Sequence, residues 1–193
     1  MEVKVAYQNV GGGNKEQHAW LEFCNHKEMD IIFVGEVFVP RDGNGTINMG
    51  GYELALEVKK GMKVAACWRT EIGNQVSIIL DQEDAIGFEC GKTRIVGVYD
   101  RWKSNTREYG QRVERVVGKL RNKDGILIGD SNAHHMTWSE KGKEDGKGRI
   151  LQEATRGMGA RWKATKENTW ERKVGQELKT NRIELIFEKG QVT

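Results

Sequence analysis

Hydrophobic and polar positions near the amino terminus change from a two-residue period to a helical period and back. Apolar residues alternate with charged ones over residues 3–7, and residues 30–34 form a compact apolar run, so both segments are predicted strands. Residues 14–29 between them show helical spacing, with Asn14 as a candidate cap. The apolar positions of this predicted helix are Ala19, Trp20, Phe23 and Cys24. The chain therefore opens with strand, helix and strand.

The middle of the chain is predicted to be an antiparallel meander. Residues 42–51 contain four glycines and are predicted to form a loop. The strands predicted after this loop cover residues 52–58, 63–68, 76–80 and 95–99. No internal repeat and no linker rich in Pro or Ser interrupts the sequence.

Helical periodicity returns in the second half. Residues 108–121 place apolar side chains at i, i+3, i+4 and i+7, which predicts a helix buried on one side. A short apolar strand follows over residues 125–129, a second helix over 148–158 and a last strand over 182–187. This alternation predicts one α/β domain over residues 1–193, with helices outside the sheets.

Composition narrows the class of protein. The 193 residues are 37% hydrophobic and 31% charged, which is typical of a globular protein with a core. No apolar run approaches the roughly 20 residues that span a bilayer, and no secretory signal is recognisable, so we expect no membrane partner. The three cysteines are odd in number and widely spaced, as expected of reduced thiols inside the cell.

Charge is distributed unevenly along the chain. The net charge is +3, but residues 1–100 have a balance of −5 and residues 101–193 a balance of +8. A basic half suggests a polyanionic partner. A solvated, lysine-rich surface is the alternative interpretation.

Polar residues follow several of the predicted strands at the point where each strand ends. They are Asn9, Glu36, Tyr99, Asp130 and Asn132. Each could be a simple turn former, but neighbouring strands would bring them together at one sheet edge. One or two acids such as Glu36 can hold Mg²⁺ beside a phosphate. Asp130 could then orient or deprotonate a water, while the amides and the phenol donate to phosphate oxygens.

One block is far more specific than these positions. Residues 126–138 read I-L-I-G-D-S-N-A-H-H-M-T-W. They resemble the strand, G-D-F-N-A-H-H segment and following Trp of the endonuclease/exonuclease/phosphatase fold, in the form found in endonuclease domains of non-LTR retrotransposons. Ser131 stands where Phe is usual.

Further segments resemble the same family in the same order. Residues 8–9 resemble its first-strand Asn, 35–36 its metal-binding Gln-Glu with the Gln changed, and 98–99 its strand ending in Tyr. Residues 168–170 are similar to its Thr-bearing strand, and 181–187 to its S-x-I-D-x-x-F segment. The resemblance spans essentially the whole chain.

The resemblance implies a fold, a cofactor and a set of site residues. The fold would be a two-sheet β-sandwich flanked by helices, a four-layer α/β sandwich. The activity would be Mg²⁺- or Mn²⁺-dependent nicking of target DNA for retrotransposition, in the nucleus, with a reverse transcriptase domain in any longer polyprotein. The implied metal residues are Glu36 and Asn9, the implied catalytic residues are Asp130, Asn132, Tyr99 and Glu184, and the implied substrate-binding residues are Asn9, Thr169 and His134.

Two departures from the family pattern leave an alternative open. Glu184 stands where the family has Asp, and its extra methylene would move the carboxylate by more than about 1 Å. The family's last strand, with its Ser-Asp-His motif, does not occur before Thr193. The alternative is therefore a truncated or decayed relative that binds nucleic acid without cleaving it. A phosphatase of the same superfamily is a third hypothesis, and the A-H-H-x-x-W continuation disfavours it.

Overall fold

The computed structural model describes residues 3–41, 44–45, 47, 49–55, 58–101, 104–139, 142–163, 170–174, 177–181 and 184–190. Two mixed sheets form its centre. Within the described residues, no helix combines the length and the apolar character that crossing a bilayer requires.

The first sheet is built by the amino-terminal part of the chain. Strand β1 (Val5–Asn9) and strand β2 (Ile31–Gly35) pair in parallel, and helix α1 (Asn14–His26) connects them. The short strands β3 (Asn44–Gly45), β4 (Tyr52–Leu54) and β5 (Val58–Lys59) follow, and then β6 (Val64–Arg69). The sheet order is β1-β2-β6-β4, while β3 and β5 pair with each other.

A 3₁₀ helix over Thr70–Gln75 carries the chain into the second sheet. Its strands, in chain order, are β7 (Val76–Gln82), β8 (Ala85–Cys90), β9 (Thr93–Tyr99), β10 (Asp124–Asp130), β11 (Arg161–Trp162) and β14 (Glu184–Lys189). Helix α2 (Thr106–Leu120) connects β9 to β10, and helix α3 (Gly146–Gly157) lies between β10 and β11. Strands β12 (Trp170–Val174) and β13 (Glu177–Asn181) form a separate hairpin before β14. The sheet order is β11-β14-β10-β9-β8-β7. Strand β10 is parallel to β9 and antiparallel to β14.

The two sheets pack face to face with helices on both outer faces. Ile31 and Phe33 of β2 pack in one apolar cluster with Phe88 and Ile95 of the second sheet. The alternate residues of β2, Ile32 among them, pack with α1 instead. Burial on both faces explains why β2 is continuously apolar. Helices α2 and α3 cover the other face of the second sheet. The predicted four-layer α/β sandwich is confirmed.

Several predicted details were wrong. Strand β8 was missed, and the predicted meander is split, because β4 and β6 belong to the first sheet and β7, β8 and β9 to the second. The buried face of α1 consists of Gln17, Leu21 and Cys24, and its cap is Gly13, not Asn14. Phe23 is exposed, and its ring stacks on Trp20 with 5.7 Å between ring centroids.

Candidate active site

The strand ends converge as two parallel pairs. Asn9 ends β1 opposite Gly35 at the end of β2, so Glu36 follows directly beside it. Tyr99 ends β9 opposite Asp130 at the end of β10. Parallel strands deliver their last residues to the same edge of a sheet. The face-to-face packing then brings the two edges together.

Asp130 lies at the centre of this edge cluster and is 1% exposed. One carboxylate oxygen accepts a hydrogen bond from Asn9 Nδ2 at 3.0 Å, which joins the two sheets. The other accepts a bond from the backbone N–H of Asn132 at 3.0 Å. Both bonds fix the orientation of the carboxylate.

Burial sets the proton affinity of Asp130. Desolvation raises the pKa of the carboxyl group from 3.8 to about 6, because the charged form has lost most of its water. The bonds from Asn9 and Asn132 and the positive charge of Lys147 oppose this rise, while the neighbouring charge of Glu36 adds to it. Asp130 is therefore ionised at neutral pH, yet basic enough to accept a proton from water.

Glu36 and Tyr99 form the second half of the cluster. The Tyr99 hydroxyl donates to Glu36 Oε1. Burial, and next the bond to Glu36, raise the pKa of Tyr99, so the phenol stays a donor. Glu36 has a left-handed backbone, with φ at 47°. Gly35 precedes it because a Cβ there would lie 2.1 Å from the Tyr7 hydroxyl oxygen.

Asn132 faces the same cluster from the loop after β10. Its φ of 44° is also left-handed, a region that Asn tolerates better than most residues. Its side-chain amide donates to the backbone oxygen of Asp100 at 2.7 Å. The Asp100 N–H in turn donates to the backbone oxygen of Asp130 at 2.8 Å. Sequence reasoning missed Asp100, although its place directly after Tyr99 was a usable signal.

For the other three predicted site residues, Glu184, Thr169 and His134, the structure describes less of the surroundings. Glu184 is the register partner of Asp130 on β14, but its side chain lies outside the described part of the structure. Thr169 lies outside the described residues altogether. His134 is half-buried in the loop after β10, where its carbonyl accepts the N–H of Asp145 at 2.9 Å. The roles predicted for these three residues stay predictions.

His135 has a structural environment. Its Nδ1 lies 2.8 Å from Thr137 Oγ1, and its Nε2 lies 3.3 Å from a Glu144 carboxylate oxygen. The ring also packs against Trp138, with 5.1 Å between centroids. Trp138 is buried and donates to the Ala133 carbonyl at 3.0 Å. These contacts hold the loop that carries Asn132.

The donor set suits a hard divalent cation. Within the described residues no group of three or more His, Cys, Asp or Glu side chains could hold a metal ion. Mg²⁺ needs fewer, because it keeps several waters and binds one or two carboxylates together with substrate phosphate. Glu36 and Asp130 lie close enough for their negative charges to repel, and that repulsion raises the pKa of Asp130. A cation near both would remove it, so the residues fit.

The fold is that of the endonuclease/exonuclease/phosphatase superfamily, and the matching family is one of endonucleases. Residues 93–192 match the profile of the endonuclease-reverse transcriptase family. The chain belongs to this family. No curated protein matches its sequence.

Solved structures of low sequence identity share the fold. The endonuclease domain of TRAS1, a telomere-specific non-LTR retrotransposon, has a TM-score of 0.75 and 17% identity over 96% of this chain and 84% of its own. An AP endonuclease from Archaeoglobus fulgidus has a TM-score of 0.66 and 13% identity over 96% and 86%. TDP2 of D. rerio, complexed with a single-strand DNA product, has a TM-score of 0.61 and 12% identity over 97% and 83%.

Proposed function

We propose that this protein is an endonuclease that uses Mg²⁺ or Mn²⁺ to nick DNA by hydrolysing one phosphodiester bond. The observation that carries the proposal is the junction of Asn9, Glu36, Tyr99 and Asp130 at one edge of the two sheets. Membership of the endonuclease-reverse transcriptase family supports it. DNA is the proposed substrate because the family resemblance and the basic residues 101–193 both favour a nucleic acid.

Asp130 is the proposed general base. Its carboxylate accepts a proton from a water molecule while the water oxygen bonds to phosphorus. The bond from phosphorus to one ester oxygen breaks, and that oxygen takes up a proton from solvent water to leave as a hydroxyl group. Asp130 then releases its own proton to solvent. Asn9 keeps the base oriented through its 3.0 Å bond. The pKa of about 6 leaves Asp130 ionised and ready at neutral pH.

Glu36 and Asn9 are the proposed metal ligands. Glu36 keeps one carboxylate oxygen besides the one that accepts from Tyr99. The side-chain oxygen of Asn9, which accepts the Gly11 N–H at 2.9 Å, is the second proposed ligand atom. When bound, the cation would neutralise phosphate charge and polarise the ester. Tyr99 holds Glu36 in place for that role.

The proposed setting is retrotransposition in the nucleus. In that setting the nick supplies an end from which a reverse transcriptase domain of the same polyprotein copies RNA. The family description and the likeness to the TRAS1 endonuclease domain support this proposal.

Nicking of supercoiled plasmid tests the function. We expect wild-type protein to produce open circles with Mg²⁺ or Mn²⁺ but not with EDTA. Asp130→Asn should lose at least about a hundredfold in rate, because the base is removed. The matched control is Asp81→Asn, which makes the same exchange at an exposed position of β7 and should cut normally. Nicking that persists with EDTA, or in Asp130→Asn, would contradict the proposal.

A second candidate is a relative that binds nucleic acid without cutting it. The Glu at position 184, opposite Asp130 in register, where the family has Asp, favours this candidate. DNA binding without product under any divalent ion would establish it. Such binding should weaken steeply with salt, since phosphate contacts release counterions.

A further inference from the structure

A buried network of charged side chains lies next to the edge cluster and is centred on Asp100. Asp100 is 3% exposed, and its carboxylate accepts hydrogen bonds from three side chains on different parts of the chain. Lys147 Nζ of α3 donates at 2.6 Å, the Ser104 hydroxyl donates at 2.8 Å, and Arg112 of α2 donates through Nη1. The Nε of Arg112 also pairs with Asp84 at 2.6 Å. Two carboxylates therefore balance two cations.

The network is joined to the proposed site through the backbone of its central residue. The Asp100 N–H donates to the Asp130 carbonyl at 2.8 Å. The Asp100 carbonyl accepts the side-chain amide of Asn132 at 2.7 Å. Any shift of Asp100 therefore moves the main chain of the proposed base and the side chain of Asn132 together.

Two glycines allow Lys147 to reach this position. It lies in the first turn of α3, where residues 146–148 read Gly-Lys-Gly. A Cβ at Gly148 would lie 1.8 Å from the His134 carbonyl oxygen, and one at Gly146 would lie 2.9 Å from a Thr106 methyl group. The helix start thus packs closely against the loop after β10 and against α2. Lys147 is 7% exposed, and its ammonium lies 5.3 Å from the Tyr109 ring centroid.

A lysine is an unfavourable choice for a purely structural helix start. Cations are disfavoured near the positive amino-terminal end of a helix, and burying an ammonium costs desolvation. The side chain meets both costs by bonding Asp100 and the Arg101 carbonyl, the latter at 3.0 Å. These two hydrogen bonds of Lys147 thus fall on the segment directly after Tyr99.

We propose that Asp100 and Lys147 are positioning residues for phosphodiester hydrolysis, acting through Asn132 and the main chain of Asp130. This inference rests on the proposed endonuclease function. Lys147 holds the Asp100 carboxylate in place through its hydrogen bond. The N–H and the carbonyl of Asp100 then fix the main chain of Asp130 and the side chain of Asn132. Loss of the bond between Lys147 and Asp100 should slow cleavage without changing the affinity for DNA, because both residues are buried.

The test compares Lys147→Met, Lys147→Arg and the control Lys123→Met. Methionine keeps length over the Tyr109 ring but loses the charge, and Arg112 and Ser104 remain to hold Asp100. Lys123 is exposed just before β10, at the opposite end of that strand from Asp130. We expect single-turnover cleavage by Lys147→Met to fall at least about tenfold. The dissociation constant for DNA should stay within about twofold, Lys147→Arg should recover part of the rate, and Lys123→Met should match wild type.

A double-mutant cycle with Asn132→Ala separates positioning from general damage. If Lys147 acts through Asn132, adding Lys147→Met to Asn132→Ala should cost much less than it costs in the wild type. Additive losses, or an unchanged rate in Lys147→Met, would overturn the proposal.

An NMR measurement decides the question even for a protein that does not cleave. The side-chain and backbone amide signals of Asn132 should move in Lys147→Met and stay in place in Lys123→Met. Unmoved Asn132 signals would refute positioning. Moved signals in a protein that never nicks DNA would support the positioning geometry and reject the endonuclease function alone.

Discussion

The buried carboxyl group of Asp130 should make the metal-free protein less stable as pH rises. Its pKa is about 6 in the folded state against 3.8 for a solvent-exposed carboxyl group, so the folded state binds a proton more tightly than the unfolded state. The stability from this group is therefore fully present below pH 3.8 and is lost as pH rises through 6. Asp130→Asn abolishes the effect, because an amide does not titrate.

The size of the effect follows from the shift. A rise of roughly two pKa units, at about 1.4 kcal/mol per unit, corresponds to about 3 kcal/mol across the full range. The asparagine variant has one fixed cost, since its new amide must face a donor, either Asn9 Nδ2 or the Asn132 N–H. That cost of about 1 kcal/mol does not depend on pH. The quantity to compare is thus the pH dependence, not the absolute stability.

Urea unfolding with EDTA between pH 4 and pH 8 provides the measurement. The free energy of unfolding of Asp130→Asn minus that of wild type should rise by about 2 to 3 kcal/mol over this range. The control Asp81→Asn should keep the wild-type slope. Parallel curves for wild type and Asp130→Asn would refute the argument that burial controls this carboxyl group. A stable Asp130→Asn protein would also show that its loss of nicking is chemical.

The remaining predictions concern packing and the Glu36 contact. A Cβ at Gly97 would lie 2.2 Å from the Phe33 ring, so Gly97→Ala should destabilise the protein by about 1 to 3 kcal/mol. The control Gly118→Ala, on α2 with no atom within 4 Å, should raise the melting temperature in the same calorimetric scan, and equal behaviour would contradict the packing argument. Tyr99→Phe removes the donor to Glu36 and should slow single-turnover cleavage at least about tenfold, while an unchanged rate would show that this bond is dispensable.

The edge cluster could be predicted from sequence because its residues share one local signal. Asn9, Tyr99 and Asp130 each end a strand, and Glu36 follows the end of β2. Parallel pairing brings them to the edge of each sheet in two pairs, and the packing of the two sheets joins the pairs. The motif around Asp130 fixed the superfamily, and the superfamily implied the four layers.

The position of Asp100 after Tyr99 is such a signal, but no sequence pattern indicates that Arg112 and Lys147 pair with it. Asp100, Arg112 and Lys147 are far apart in the chain, and each is a charged residue of the kind that normally faces water. The prediction of the buried face of helix α1 was wrong for a related reason. Gln17 is buried because its side-chain oxygen accepts the N–H of Phe38 at 3.0 Å, a tertiary contact that hydrophobic periodicity cannot register. Pairing across long sequence distances decided both cases.

The bond from Asn9 to Asp130 has a consequence for how this protein can be divided. The stretch that carries the family signature begins at residue 93, whereas Asn9 and Glu36 come from the opposite sheet. A fragment trimmed to that signature would retain the carboxylate of Asp130. It would lose Asn9, which donates a hydrogen bond to that carboxylate, and Glu36, whose negative charge lies near it. The proposed site therefore forms only when both sheets have folded and packed together. An intact site thus indicates that both sheets are folded.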